Sequence, residues 1–289
     1  MSDIPAYRTD DIPAAPAFAA AAPHAKPTIA IEIADAASLA KSLAGLHGAW
    51  ADLLSRADTQ NVFMDPSLLH AAAAADPAGQ QHALLAWKTV DGARRLVGVW
   101  GFAVGRPRWS VLPIRVLTAP AYNHGYLATP VIDRDCLDEA IEAMLDAIAA
   151  AQGLPKILAL DTLATDGATH EALIRVLAGR GTAPRVFEHM QRPRLSSDLD
   201  GKAYLEKAVS SSTRKKLRQY RRRLAEKGAV TSTIITQPDA VRRAVDQFLD
   251  IEAAGWKGHN GTALKCNDAE AVFMRGAMVA LAARGNAAI

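Results

Sequence analysis

Ser210-Ser-Ser-Thr-Arg-Lys-Lys-Leu-Arg-Gln-Tyr-Arg-Arg-Arg-Leu224 opens the stretch on which the fold turns, and Glu252-Ala-Ala-Gly-Trp-Lys-Gly-His-Asn-Gly-Thr-Ala263 closes it. The first segment reads as a basic helix. Ser211 or Ser212 can cap its start, Leu217, Tyr220 and Leu224 recur at helical spacing as an inner edge, and Gly228 ends it. Val230 to Ile235 is β-branched and predicts a strand. Thr236-Gln-Pro-Asp239 then starts a helix in the manner of a capping box, with Val241, Val245, Phe248 and Leu249 on one face and Gly255 as its stop. A last helix, about Asp268 to Ala283, ends at Gly285. Asn286-Ala-Ala-Ile289 resembles the opening of a strand, so the block reads as the first half of a domain, incomplete at Ile289.

Working back toward the N-terminus, Pro193 and the polar Ser196-Ser-Asp-Leu-Asp-Gly201 mark a boundary. Before it, Leu39, Leu43, Leu46, Trp50, Leu53 and Leu54 fit one face of a helix from Ser38 to Leu54. Asp65-Pro66 opens a second helix, Ser67 to Ala75, which Asp76-Pro77 stops. Extended runs follow at His82 to Val90, Arg95 to Val104 and Ile114 to Thr118, with a hairpin signal at Asp91-Gly92. Tyr126 to Ile132, a helix from Asp135 to Ala151, a buried strand Lys156 to Leu163, a helix Ala168 to Ala178 and a strand Arg185 to Met190 complete the block. This order predicts a mixed α/β (α+β) class with largely antiparallel sheets flanked by helices, organised as residues 28–195 and 196–289.

Residues 1–27 are rich in Ala and Pro and begin with Asp3, Asp10 and Asp11 against Arg8 alone. A secretory signal needs a positive start, so a disordered tail is expected there. The 289 residues are 50% hydrophobic, without an apolar run near the roughly 20 residues of a membrane span. A soluble, cytoplasmic protein is expected, with the inner membrane face as a peripheral station. Two distant cysteines, Cys136 and Cys266, argue against a disulfide scaffold and a zinc site. The net charge of +3 is too mild to imply nucleic acid as a partner of the whole molecule.

Charge is concentrated instead. Arg214, Lys215, Lys216, Arg218, Arg221, Arg222, Arg223 and Lys227 stand against Glu226 alone, a local charge of +7. One reading is a solvated helix face. The other is an anion-binding surface, with Arg214, Lys215, Arg218, Arg221 and Arg222 holding phosphates, acidic polymer or an anionic membrane. Tyr220 alone interleaves the cations, which is weak support for stacking on single-stranded nucleic acid.

Trp256-Lys-Gly-His-Asn-Gly-Thr262 carries the chemistry-bearing side chains. Glycines at 255, 258 and 261 permit left-handed turns and close backbone approach to a ligand. Trp256 offers an apolar wall, Lys257 a cation and His259 a possible base, with Gly261 and Thr262 beside them. Trp256 folded back on the core is the competing view. Glu252, one turn upstream, is either a general base with a raised pKa or a surface carboxylate paired with Arg242, Arg243 or Lys257. In the first block, Asn123-His124-Gly-Tyr126 is a polar, aromatic turn able to line a cleft. No His-x-His, His-Glu-x-x-His or Gly-x-Ser-x-Gly pattern supports a metal or a serine nucleophile.

Ser212 to Leu224, followed by Phe248-Leu-Asp-Ile-Glu-Ala-Ala-Gly-Trp-Lys-Gly-His-Asn-Gly-Thr-Ala263, resembles the CelD-like branch of the GNAT acyltransferases, which is associated with cellulose and exopolysaccharide biosynthesis. A fainter similarity extends over 28–289, and the FemABX peptidyltransferases share the layout distantly. The resemblance implies two GNAT-like domains in tandem. It also implies acyl transfer from acetyl-CoA or another acyl-CoA to an amine or hydroxyl of a saccharide or cell-envelope acceptor. Glu252 and His259 would then be catalytic, and Trp256, Lys257, Gly261, Thr262, Asn123, His124 and Tyr126 would face the acceptor. Such a family binds the CoA pyrophosphate on backbone N–H groups where a glycine loop enters a helix. The equivalent turn here, Thr129-Pro-Val-Ile-Asp-Arg-Asp135, has no glycine and carries two aspartates, so the first domain is expected to be degenerate for CoA. The alternative is a non-catalytic module that binds anionic polymer or membrane through the helix at 213–227. A peptidyltransferase using aminoacyl-tRNA is disfavoured, since no helical-hairpin insertion separates the strands.

Overall fold

The computed structural model describes residues 29–106, 113–193 and 195–289; the expected tail at 1–27 lies outside the described residues. Ile29-Ala-Ile-Glu-Ile-Ala-Asp35 alternates large side chains with others and forms β1 (Ile29–Asp35). This strand is absent from the sequence expectations, because its short pattern adjoins an Ala/Pro-rich run. Asp35 accepts a hydrogen bond from the Ser38 N–H and so caps α1 (Ala36–Arg56), whose Leu39, Leu46, Trp50 and Leu53 are buried. Asp65, with Pro66 in the first turn, caps α2 (Pro66–Ala75).

β2 (Gln81–Val90) and β3 (Ala93–Gly105) make the expected hairpin. Asp91 and Gly92 have φ of 50° and 79°, the left-handed pair that a type I′ turn needs. β4 (Val116–Ala119) and β5 (Val131–Ile132) both lie antiparallel to β3, one against Ala103–Gly105 and the other against Gly98 and Val99. Residues 120–130 leave the sheet between them. β6 (Leu158–Leu160) runs parallel to β4, giving a mixed, largely antiparallel sheet in the order β1-β2-β3-β4-β6, with β5 on β3. α3 (Leu137–Ala150) and α4 (Ala168–Gly179) pack together. Gly98 and Gly101 lie on opposite faces of β3, and a Cβ would meet Met144 of α3 at the first and Leu69 of α2 at the second, at 2.8 and 2.4 Å. The fold class is therefore as expected: a mixed α/β architecture with helices flanking a mixed sheet.

The C-terminal block contains α5 (Gly201–Ala208), α6 (Ser211–Ala225), α7 (Pro238–Ala254), the one-turn α8 (Trp256–His259) and α9 (Asp268–Ala282). Its own core joins Val241, Val245 and Leu249 of α7 to Ala271 and Ala282 of α9. The other face of α9, Phe273, Ala277 and Leu281, packs on Leu68, Ala71 and Ala72 of α2. This second layer ties the block to the sheet-bearing half. Buried Asp65 and half-buried Arg284 strengthen it: one Arg284 nitrogen lies 2.7 Å from both Asp65 oxygens. Among the described residues, no helix is long and apolar enough to cross a membrane.

Several local expectations are corrected. Ser210, not Ser211 or Ser212, caps α6 by accepting from the Thr213 N–H. Leu217, Tyr220 and Leu224 form no inner edge, since no residue of α6 is buried. Val230 to Ile235 forms no regular strand, yet Ile235 and Ile289 exchange both N–H···O bonds, at 2.9 and 3.0 Å. That is one antiparallel pair, which agrees with the strand-like character of 286–289. Arg185 to Met190 forms no strand: β propensity alone does not suffice without a ladder on a neighbour. Lys156 to Leu163 shrinks to the half-buried β6, and Tyr126 to Ile132 to β5. Gln237 precedes α7 without a side-chain cap, so the capping box does not form. Phe248 is exposed, on the margin of the α7 face.

Candidate active site

α7 ends where the backbone must turn sharply into α8. A Cβ at Gly258 would sit 1.7 Å from the Ala253 carbonyl oxygen, so only glycine fits this approach. Gly261 takes φ of 69°, and the Thr262 N–H closes the loop on the Lys257 carbonyl at 2.8 Å. The loop is thus held by its own backbone. Trp256 is 70% exposed and does not fold back on the core.

Glu252 faces inward from the last turn of α7. One carboxylate oxygen accepts from Lys257 Nζ at 2.6 Å and the other from the Leu264 N–H at 2.8 Å. Its side chain is 8% exposed, so it is a buried, paired carboxylate rather than a surface one. The Lys257 ammonium foremost, and then the Leu264 N–H, hold its pKa below the usual carboxylate range, with a smaller contribution from the His124 imidazole. The expected upward shift is corrected: both oxygens are engaged by donors that favour the charged form.

His259 is placed differently. Its Nδ1 lies 2.8 Å from the Gly255 carbonyl, which can only accept, so Nδ1 carries the proton in the neutral ring. Nε2 is then the basic nitrogen. The residue is exposed, and Nε2 has no hydrogen-bond partner among the described residues.

From the first half, the excursion 120–130 brings His124 to this region. The His124 ring stacks on Phe273 of α9 with centroids 6.1 Å apart, and its Nε2 is 3.5 Å from a Glu270 oxygen. Tyr122 packs on the same phenylalanine at 4.8 Å; its hydroxyl donates to the Phe63 carbonyl, and burial pushes its phenol pKa up. Asn123 is exposed. Tyr126, 55% exposed, sits edge-on to Phe63 at 5.8 Å. Glu252, Lys257, His124 and Glu270 thus gather where α7 and α9 meet the excursion. Glu270 and Phe273 are absent from the sequence candidates, because in sequence they are only an acidic first-turn residue and an apolar helix position.

The turn before α3 is occupied by its own carboxylate. Asp133 accepts from the Asp135 N–H at 3.1 Å, and the Cys136 N–H donates to the Asp133 carbonyl. Arg56 pairs with the same carboxylate, which is almost fully buried. The Asp135 N–H, a donor that could face an anion at this turn, is thus already engaged by an internal carboxylate. Cys136 is buried, and burial pushes its thiol pKa up.

Arg214, Lys215, Arg218, Arg221 and Arg222 all lie on α6; Arg214 donates to the Leu205 and Glu206 carbonyls at the end of α5. Arg218, Arg221, Arg222 and Ala225 border an open stretch of surface along that helix. Among the described residues, no three of His, Cys, Asp and Glu converge as metal ligands.

Neither a curated protein nor a solved structure matches the chain. One family model does match, over residues 211–289, and its description is Acetyltransferase (GNAT) domain. The matched span begins at the first residue of α6 and includes the Glu252 to Thr262 site and α9. A GNAT-type acetyltransferase domain is therefore found in the C-terminal block, which supports an acyl-CoA acyltransferase function.

Proposed function

We propose that this protein transfers an acyl group from acetyl-CoA or another acyl-CoA to an amine or hydroxyl of a saccharide or cell-envelope acceptor, as an N- or O-acyltransferase. The match of 211–289 to the acetyltransferase domain carries the reading. In it, residues 28–195 form a first domain that does not bind CoA, because Asp133 fills its anion turn. Residues 196–289 present the acceptor.

The chemistry needs no covalent enzyme intermediate. An acceptor held beside Trp256 attacks the thioester carbonyl, a C–N or C–O bond forms, and the C–S bond breaks to release CoA as its thiol. The acceptor must lose a proton, and His259 Nε2 is the group available to take it. Glu252 has the supporting role: its bonds to Lys257 and Leu264 hold the loop that carries Trp256 and His259. Lys257 keeps its ammonium partly exposed beside them.

The test follows release of the CoA thiol from acetyl-CoA and longer acyl-CoAs in the presence of amino sugars and neutral oligosaccharides. Acceptor-dependent thiol release is expected. Absence of release with every pair, together with no heat on titrating acetyl-CoA into the protein, would end the reading.

A further inference from the structure

We propose that α6 docks on an anionic lipid bilayer, lying in the headgroup plane with Leu217, Tyr220 and Leu224 immersed. The inference is independent of acyl transfer, since none of these residues belongs to the Glu252 to Thr262 site.

The three side chains recur at spacings of three, four and seven and so stand in one stripe along the helix. Each is more than half exposed, at 53%, 58% and 57%. No residue of α6 is buried, so nothing among the described residues covers the stripe. Leu205 in α5 is 47% exposed as well, and the Arg214 bonds to α5 hold the two helices together.

Cations border the stripe on both sides. At 100° per residue, Lys216 and Arg223 fall on one flank, Arg214 and Arg221 on the other, and Lys215, Arg218 and Arg222 lie farther round. Long basic side chains in that position reach upward to phosphates while their methylene stems cover the apolar boundary. The local charge of +7 complements an anionic headgroup layer. A soluble polyanion would use the cations alone and gain nothing from two leucines and a tyrosine held in water. The combination of stripe and flanks favours the bilayer.

The experiment is co-sedimentation of the full chain with phosphatidylcholine vesicles, with and without phosphatidylglycerol, and with alginate as a soluble polyanionic competitor. Binding is expected only with phosphatidylglycerol, weakening as salt rises above about 0.1 M. Leu217→Gln with Leu224→Gln keeps helix propensity while removing the stripe, and should weaken vesicle binding by roughly tenfold or more. Arg221→Glu with Arg222→Glu should weaken it at least as much. Circular dichroism of both variants should match the parent, since the sites are exposed. Equal binding to both vesicle types overturns the proposal. So does a leucine variant that binds as the parent does while alginate displaces both, which would make α6 a polysaccharide face instead. Thiol release is not read in this experiment, so its failure leaves the transferase reading to its own test.

Discussion

At position 259 the Gly255 carbonyl decides which imidazole nitrogen can act as a base. Because Nδ1 must donate to it, Nε2 keeps its lone pair and points to no partner among the described residues. His259→Ala should lower the acyl-transfer rate by roughly 10²–10⁴-fold while leaving acyl-CoA binding intact, measured by thiol release beside calorimetry. Unchanged turnover would remove His259 from the chemistry. Glu252 behaves in the opposite way. Its folded pKa lies below the ordinary 4.5, so its stabilising effect is complete above that value and is lost as pH falls through the folded pKa. Glu252→Gln should therefore cost on the order of 1 kcal/mol near neutral pH, since it gives up hydrogen bonds to a charged group. The difference in melting temperature between parent and variant should vanish in strong acid. A gap that persists there would contradict the Lys257 pairing as its cause.

The junction of α7 and α8 depends on a missing side chain. A methyl group at Gly258 would collide with the Ala253 carbonyl, which is backbone and cannot swing away. Gly258→Ala should destabilise the protein by about 1–3 kcal/mol, read as a lower urea midpoint. Gly255→Ala is the internal control, because its Cβ would meet the Glu252 carbonyl at 3.5 Å, an ordinary contact. A smaller effect at 258 than at 255 would contradict the geometry. The pairing of Ile235 with Ile289 makes a further expectation: the Ile235 amide should exchange with solvent more slowly than that of Ile234, which is 80% exposed.

The two halves communicate through α9, whose opposite faces serve α7 and α2. Buried Asp65 also caps α2, so its pairing with Arg284 couples the start of one helix to the end of another. Arg284→Met would leave that carboxylate buried without its partner, which typically costs about 3–5 kcal/mol. The expected reading is a marked fall in melting temperature that Asp65→Asn partly relieves in the double variant. Additive single effects would show that the pair is not coupled. Movement of α9 would also carry away Phe273 and Glu270, and with them the seat of His124.

Local chemistry was legible without coordinates wherever one residue type can satisfy the backbone. Asp-Pro at the start of α2 and Asp-Gly between β2 and β3 mark those elements because caps and left-handed turns depend on near neighbours alone, whereas the serine cap of the basic helix fell at Ser210, before the expected Ser211 or Ser212. Arg185 to Met190 and Val230 to Ile235 misled for the complementary reason: a strand exists only when a distant partner supplies its ladder. The candidate loop at 256–262 stood out through its glycines and its indole. What only the tertiary structure decided was electrostatic. Glu252 became a fixed carboxylate through Lys257 and Leu264, His124 reached α9 through an excursion from the sheet, and the stripe on α6 has no cover among the described residues. Spacing along the chain encodes periodicity, whereas burial and charge pairing depend on which segments meet in space.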